Sequence, residues 1–237
     1  MIGVDLGGTN VRAGAYLDSG VPAAPDVSLP SRATEGTEAI VGAIAEAVGI
    51  AKAASPEACA IGLAVPGHVD AEAGLVRWAP NLGETVDGVF NYWRDVPLRD
   101  ALESRVGLPT ILANDANAAA LGEYRFGVGR GSAACLVMLT LGTGIGGGVV
   151  MSPRSLVGPV SGPVMLIGGN GGGAELGHTI VQWGGLDANA GAYGALEGYC
   201  QRDAIVRRAV HRILRGRASM LKDMALGDLS SLTPLML

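Results

Sequence analysis

A chain of 237 residues that is 49% hydrophobic, with a positive mean hydropathy, has too much apolar surface to remain disordered. Its 38 glycines, more than twice the usual share of roughly 7%, follow no three-residue period, which excludes collagen. A net charge of −5 with only 16% charged residues argues against nucleic acid or an anionic membrane as the main partner.

Met1–Val4 and Val11–Tyr16 read as two short strands joined by the glycine turn Asp5-Leu-Gly-Gly-Thr-Asn10. A Pro-rich loop spans Val21–Pro30. Thr37–Ala51 carries Ile40, Val41, Ile44, Ala47, Val48 and Ala51 at helical spacing. Ala58–Val65 is a continuous apolar run stopped by Pro66-Gly67, as in a buried strand. Pro97–Val106 reads as a helix with Pro at its start and Gly107 past its end. Thr110–Ala113 is a further strand ending at Asn114-Asp115, and Ala116–Tyr124 a further helix, so strands and helices alternate as in an α/β protein.

Residues 131–153 carry no charge, a run long enough to span a bilayer. The run contains Gly131, Gly142, Gly144, Gly146, Gly147 and Gly148, which split it into two short β-like halves and argue against a membrane helix. The start of the chain has no basic segment and meets Asp5 at once, unlike a signal peptide. Cys59, Cys135 and Cys200 are odd in number and far apart, which fits a reducing, cytoplasmic setting. In the basic segment Arg202–Arg217, apolar residues recur at helical spacing between arginines, which describes a helix with its arginines in water.

Asp5-Leu-Gly-Gly-Thr9 is echoed by Thr140-Leu-Gly-Thr-Gly-Ile-Gly-Gly-Gly148, each between apolar strands. Two such units suggest either two similar lobes contributing loops to one cleft or two unrelated hairpins. Glycine turns with a threonine suit phosphate, because backbone N–H groups can approach the anion closely, although neither loop is a P-loop. Asn114-Asp115 stands where a strand meets a helix. Either Asp115 caps that helix, or it is a general base beside an Asn114 that holds a substrate hydroxyl. Glu175, His178 and Glu197 lie in an almost uncharged stretch and suit a hydroxyl-rich ligand, while a lone histidine equally suits a structural hydrogen bond.

Taken in order, these residues resemble the ROK family of sugar kinases and repressors, most closely its glucokinase-type members. The resemblance rests on Asp5–Asn10, Pro66-Gly67, Pro80-Asn81-Leu82, Asn114–Glu123, Leu141–Gly148, Glu175-Leu-Gly-His178 and the end of Gly194–Glu197, and runs from residue 1 to about 217. It implies an α/β, actin-like or hexokinase-type (ribonuclease H-like) fold of two lobes with a cleft between them. Residues 1–115 would form the N-terminal lobe and 116–237 the C-terminal one. The implied activity is ATP-dependent phosphorylation of a hexose, with the 6-hydroxyl of glucose as acceptor and Asp115 as catalytic base. Gly67, Asn81, Asn114, Asp115, Glu175, His178 and Glu197 would hold the sugar. Gly7, Gly8, Thr9, Asn10, Gly142, Thr143 and Gly144 would embrace the phosphates, and Asp5 would place Mg²⁺. The alternatives are a kinase for an N-acetylhexosamine or fructose, and a sugar-binding protein without catalysis. Sugar and ATP are the implied partners, with no nucleic acid and no membrane. A homodimer is in keeping with the family.

Three features depart from the family pattern. Its zinc motif, Cys-x-Cys-Gly-x-x-Gly-Cys-Leu-Glu, is matched here by Ala188-Asn-Ala-Gly-Ala-Tyr-Gly-Ala-Leu-Glu197, so no zinc is expected and another device must hold this loop. The connection Met151–Asn170 is long and rich in Gly and Pro, and is expected to be a surface loop. The chain is shorter than such kinases, which leaves the C-terminal lobe incomplete on this reading. Repressor members carry an N-terminal helix-turn-helix, whereas this chain starts at the first strand.

Overall fold

The computed structural model describes residues 1–130, 132–155, 161–168, 173–188 and 191–236. The chain divides into two compact units, Met1–Val137 with Gly148–Ala174, and Met138–Gly147 with Glu175–Leu237. This partition differs from a boundary at residue 115. Helix 115–125 belongs with the first unit, and Gly148 lies so close to Ala116 and Ala120 of that helix that a methyl group would not fit.

In the first unit, β1 (Ile2–Leu6) and β2 (Asn10–Ala15) pair antiparallel across the first glycine turn. A short β3 (Val27–Pro30), inside the stretch expected to be a loop, adds to the edge of β2. Its Pro30 is tolerated there because an edge strand leaves some N–H groups unpaired anyway. Helix α1 (Thr37–Ala54) and β4 (Ile61–Val65) follow. Then β5 (His68–Asp70), β6 (Leu75–Val86) and β7 (Val89–Val96) make a separate antiparallel sheet. Helix α2 (Leu98–Val106) ends on Gly107, which adopts the left-handed conformation at φ 66°. Pro97 lies just outside this helix as its N-cap. Strand β8 (Thr110–Asn114) completes the order β3-β2-β1-β4-β8, in which β1, β4 and β8 are parallel. Helix α3 (Asp115–Arg125) starts at the end of β8.

Alternation decides what each face of this sheet meets. Ile2, Val4 and Leu6 of β1 and Ile61, Leu63 and Val65 of β4 are buried in one core with Ile40, Ile44 and Val48 of α1. Each such side chain contributes about 1.5–3 kcal/mol by leaving water. Gly3 and Asp5 alternate with them on β1 and are not buried.

Strands β9 (Cys135–Leu141) and β10 (Ile145–Met151) flank the second glycine turn, and β11 (Val164–Met165) pairs with the end of β10. The 151–170 connection thus holds a strand. Its residues 156–160 and 169–170 lie outside the described residues.

In the second unit, α4 (Leu196–Cys200) leads into α5 (Arg202–Leu214) and α6 (Met220–Met224). Ile213, Ala225 and Leu232 make a small core there. The arginines of α5 are exposed as its periodicity predicts, and Leu214 is exposed with them. No helix among the described residues is long and apolar enough to cross a membrane.

Candidate active site

In the first unit the expected site residues gather at the carboxyl ends of the parallel strands, where open α/β sheets bind ligands. Asp5 on β1 is in register with Ala64 on β4, and Ala64 with Ala113 on β8, two residues before Asp115. Both carboxylates are exposed. Arg12 stands opposite Asp5 on β2.

The cap of α3 is Asn114. Its Oδ1 accepts from the N–H of Asn117 at 3.1 Å, and its Nδ2 donates to the carbonyl of Gly67 at 3.0 Å. The N-cap bond is thus made by Asn114, and Asp115 occupies the first helical position, where its carboxylate accepts from the N–H of Ala116 at 2.8 Å. Of the two readings of Asp115, the structure removes the N-cap and moves it one residue back. An acid in the first turn also sits well with the positive end of the helix dipole.

Gly67 has φ 98°, and a methyl group there would run into the carbonyl of Trp78. Only glycine fits, and its carbonyl in turn orients the Asn114 amide. Asn81 lies beside the first glycine turn, its Cβ 3.8 Å from where a Cβ on Gly8 would stand. In that turn Gly7 N–H donates to Asn10 O at 2.8 Å, and Thr9 O accepts from Ser31 N–H at 3.0 Å. Gly8, Thr9 and Asn10 are exposed at the tip.

The second unit assembles the remaining candidates around Ile145. Glu197, only 6% exposed, accepts from the N–H of Ile145 through Oε2 at 2.8 Å. A Cβ on Gly144 would come within 2.5 Å of that oxygen. The turn Glu175–His178 packs against the same strand, for a Cβ on Gly177 would strike the carbonyl of Ile145. His178 Nδ1 lies 3.7 Å from Glu175 Oε2, both side chains about 40% exposed. Leu196 N–H donates to Thr179 O at 2.9 Å and so places Glu197 beside this turn. Gly142 and Thr143 are exposed, and Gly142 N–H donates to Gly144 O at 2.9 Å, an arrangement like that of the first turn.

A magnesium ion needs hard oxygen ligands, often one carboxylate completed by phosphate and water, and an exposed Asp5 beside a glycine turn suits that need. Zinc does not fit. Ala188 and Ala195 are buried methyl groups where the family motif has thiolates, and Ala190 lies outside the described residues. The loop is held by other means. Leu186 N–H donates to the Tyr199 hydroxyl at 2.8 Å, Gly194 N–H to Leu186 O at 2.6 Å, and Asp187 bridges Tyr193.

Two residues of the first unit went unremarked in the sequence. His68 follows the Pro66-Gly67 turn, and Asn117 is the second asparagine of Asn114-Asp-Ala-Asn117. Both line a cavity of about 790 Å³ together with Asn114.

The ROK family model matches residues 1–229. The glucokinase of Thermotoga maritima is 40% identical over 207 residues, covering 87% of this chain and 59% of that protein. The glucokinase of Streptomyces coelicolor is 38% identical over 230 residues, covering 96% and 64%. Among solved structures, a ROK family glucokinase from Streptomyces griseus in complex with glucose and AMPPNP superposes with a TM-score of 0.75 at 35% identity, covering 100% of this chain and 69% of that one. The chain thus spans about 59–64% of the length of these two curated relatives. The fold is the actin-like, hexokinase-type α/β fold that the motifs imply.

Proposed function

The chain belongs to the ROK family, and from that premise we propose that it transfers the γ-phosphoryl group of ATP to the 6-hydroxyl of a hexose, glucose before others. The observation that carries this reading is that Asn114 takes the N-cap of α3, which puts the exposed Asp115 carboxylate in the first turn of that helix at the carboxyl end of β8, in the sheet that also carries Asp5. Its similarity to glucokinases, one of them bound to glucose and an ATP analogue, supports the choice of substrates.

In this mechanism Asp115 takes the proton of the 6-hydroxyl as that oxygen attacks the γ-phosphorus and the bond to the ADP oxygen breaks. Gly7, Gly8, Thr9 and Asn10, with Gly142, Thr143 and Gly144, offer N–H and hydroxyl donors to the phosphates. Asp5 would hold magnesium, which neutralises phosphate charge when bound. Asn81 lies beside the first of these turns. Gly67 and Asn114 form one wall for the sugar, and Glu175, His178 and Glu197 supply acceptors and a donor for its hydroxyls. Positioning and charge stabilisation are most of what phosphoryl transfer requires. No step runs through zinc. The setting proposed is cytoplasmic, in keeping with three free cysteines.

The test is ADP release from Mg-ATP with a panel of hexoses, N-acetylhexosamines and fructose included. Asp115→Asn should lower kcat by about 10²–10⁴ while glucose still binds. Turnover within about tenfold of the parent would remove Asp115 as the base, since general-base catalysis is worth more than that.

A further inference from the structure

Asn117 is 3% exposed, and its side-chain amide makes no hydrogen bond among the described residues, Oδ1 being fully buried without a partner. Burying such a group unpaired carries a desolvation penalty of the same order as a hydrogen bond. Its own backbone N–H is already satisfied by Asn114, so the side chain has no capping task. Gly173 approaches closely, a Cβ there standing 3.3 Å from both amide heavy atoms of Asn117, and so keeps any side chain from that point out of the space.

Asn117 borders the cavity of about 790 Å³, which lies wholly within the first unit and is also lined by His68, Arg77, Asn114, Met165 and Ile167. That size is in the range of small-molecule sites. His68 contributes the one aromatic ring among the described lining residues, and other rings pack behind it. His68 pairs with Trp78 across β5 and β6, their ring centroids 5.2 Å apart, and Tyr92 of β7 meets Trp78 edge-on at 6.1 Å. Arg94 caps the row at 4.7 Å from the Tyr92 ring centre. Arg77 pairs with Asp70 at 2.8 Å and with Asp95 at 3.0 Å, which adds a polar group to the lining.

A buried amide whose Oδ1 lacks a partner, on the lining of a cavity that also holds an imidazole packed near a tryptophan, matches the two surfaces of a pyranose. Its hydroxyls donate and accept, and its ring face is apolar. We propose that Asn117 is a further sugar-binding residue of this protein, pairing with one hydroxyl of a hexose whose ring lies toward His68. This rests on the reading of the chain as a sugar binder and extends the sugar wall beyond Gly67 and Asn114 to the second asparagine of the motif. It requires no catalysis.

The experiment is calorimetric titration of the whole chain with glucose and its single-deoxy analogues, without nucleotide, for the parent and Asn117→Ala. Glucose affinity should fall about tenfold in the variant, the value of one hydrogen bond. One deoxyglucose should bind the parent about tenfold more weakly than glucose yet bind the variant as glucose does. The sugar-free melting temperature should hold or rise, since alanine favours the helix and no hydrogen bond is removed. A lower melting temperature with unchanged glucose affinity, or the same deoxy-sugar penalties in both proteins, would overturn the proposal. If the parent binds glucose without forming ADP, the kinase reading fails and the titrations still decide Asn117. If it binds no hexose, both fail.

Discussion

The Oε2 atom of Glu197 accepts the backbone N–H of Ile145 at 2.8 Å, so a buried acid on α4 fixes the strand that leaves the second glycine turn. Gly144 makes this possible, because any side chain there would press on the same carboxylate. A carboxylate bonded to a buried amide is worth about 1.5–3 kcal/mol. Glu197→Ala should therefore lose about that much stability in chemical denaturation, and Glu197→Gln, which keeps an acceptor, clearly less. Gly144→Ala should lose stability as well. An alanine variant as stable as the parent would show that the bond has no structural weight.

Gly67 and Gly62 stand five residues apart and predict opposite outcomes. Gly67 has φ 98° and faces the Trp78 carbonyl, so Gly67→Ala must strain the backbone or displace β6. Left-handed backbone for a non-glycine residue costs about 1–3 kcal/mol before the clash is added. Gly62 lies in β4 with nothing within 4 Å of an added Cβ. Gly62→Ala should be neutral or stabilising by about 0.4–1 kcal/mol through the unfolded chain. Thermal melts of the two variants side by side check this, and equal losses in both would contradict it.

Much of the first unit was legible in the sequence because apolar runs bounded by Gly and Pro turns mark the strands and helical spacing marks α1. α1 buries the residues its spacing marks, β1 and β4 overlap the segments expected to be strands, and the glycine turns fall between the strands they separate. The β5–β7 sheet was not legible. Its pairing shifts between Ala79 and Gly83 around Pro80, so apolar alternation does not persist along β6. β3 hides among prolines and exists through its pairing with β2. In the site, the residue types and their order were readable, whereas the division of labour between Asn114 and Asp115 depends on which side chain reaches the N–H of Asn117. The unpaired amide of Asn117 is likewise a property of burial, and a helical asparagine in the sequence carries no sign of it.

Tyr16 donates its hydroxyl to Asp26, at 3.0 Å from Oδ1 and 3.2 Å from Oδ2. Partial burial first, and then the Asp26 carboxylate, hold the phenol above its ordinary value of 10.0. The folded state thus favours the protonated phenol relative to the unfolded chain. Its contribution is complete below pH of about 10 and fades as pH rises through the folded value. Denaturation at increasing alkaline pH should show a loss of stability that Tyr16→Phe makes shallower. The same slope in parent and variant would assign the loss to other groups.

The loop that carries zinc ligands elsewhere in the family should be indifferent to chelators here. Its shape comes from backbone bonds, Ala188 N–H to Ala192 O and Gly191 N–H to Ala188 O, both at 3.0 Å, and from the Tyr199 hydroxyl under Leu186. Gly185 and Gly194 allow this closure, since side chains on them would meet the Tyr199 hydroxyl and the Gln182 carbonyl. A structural zinc contributes its binding free energy to folding, so stripping it from a zinc-dependent loop lowers the melting temperature sharply. For this chain, incubation with a strong chelator should leave the melting temperature unchanged, and elemental analysis should find no stoichiometric zinc. Tyr199→Phe, by contrast, should cost about 1 kcal/mol, the value of one hydroxyl-mediated hydrogen bond. A fall in melting temperature on chelation, together with stoichiometric zinc, would mean that other residues supply the ligands, and would transfer the stabilising role from Tyr199 to the metal.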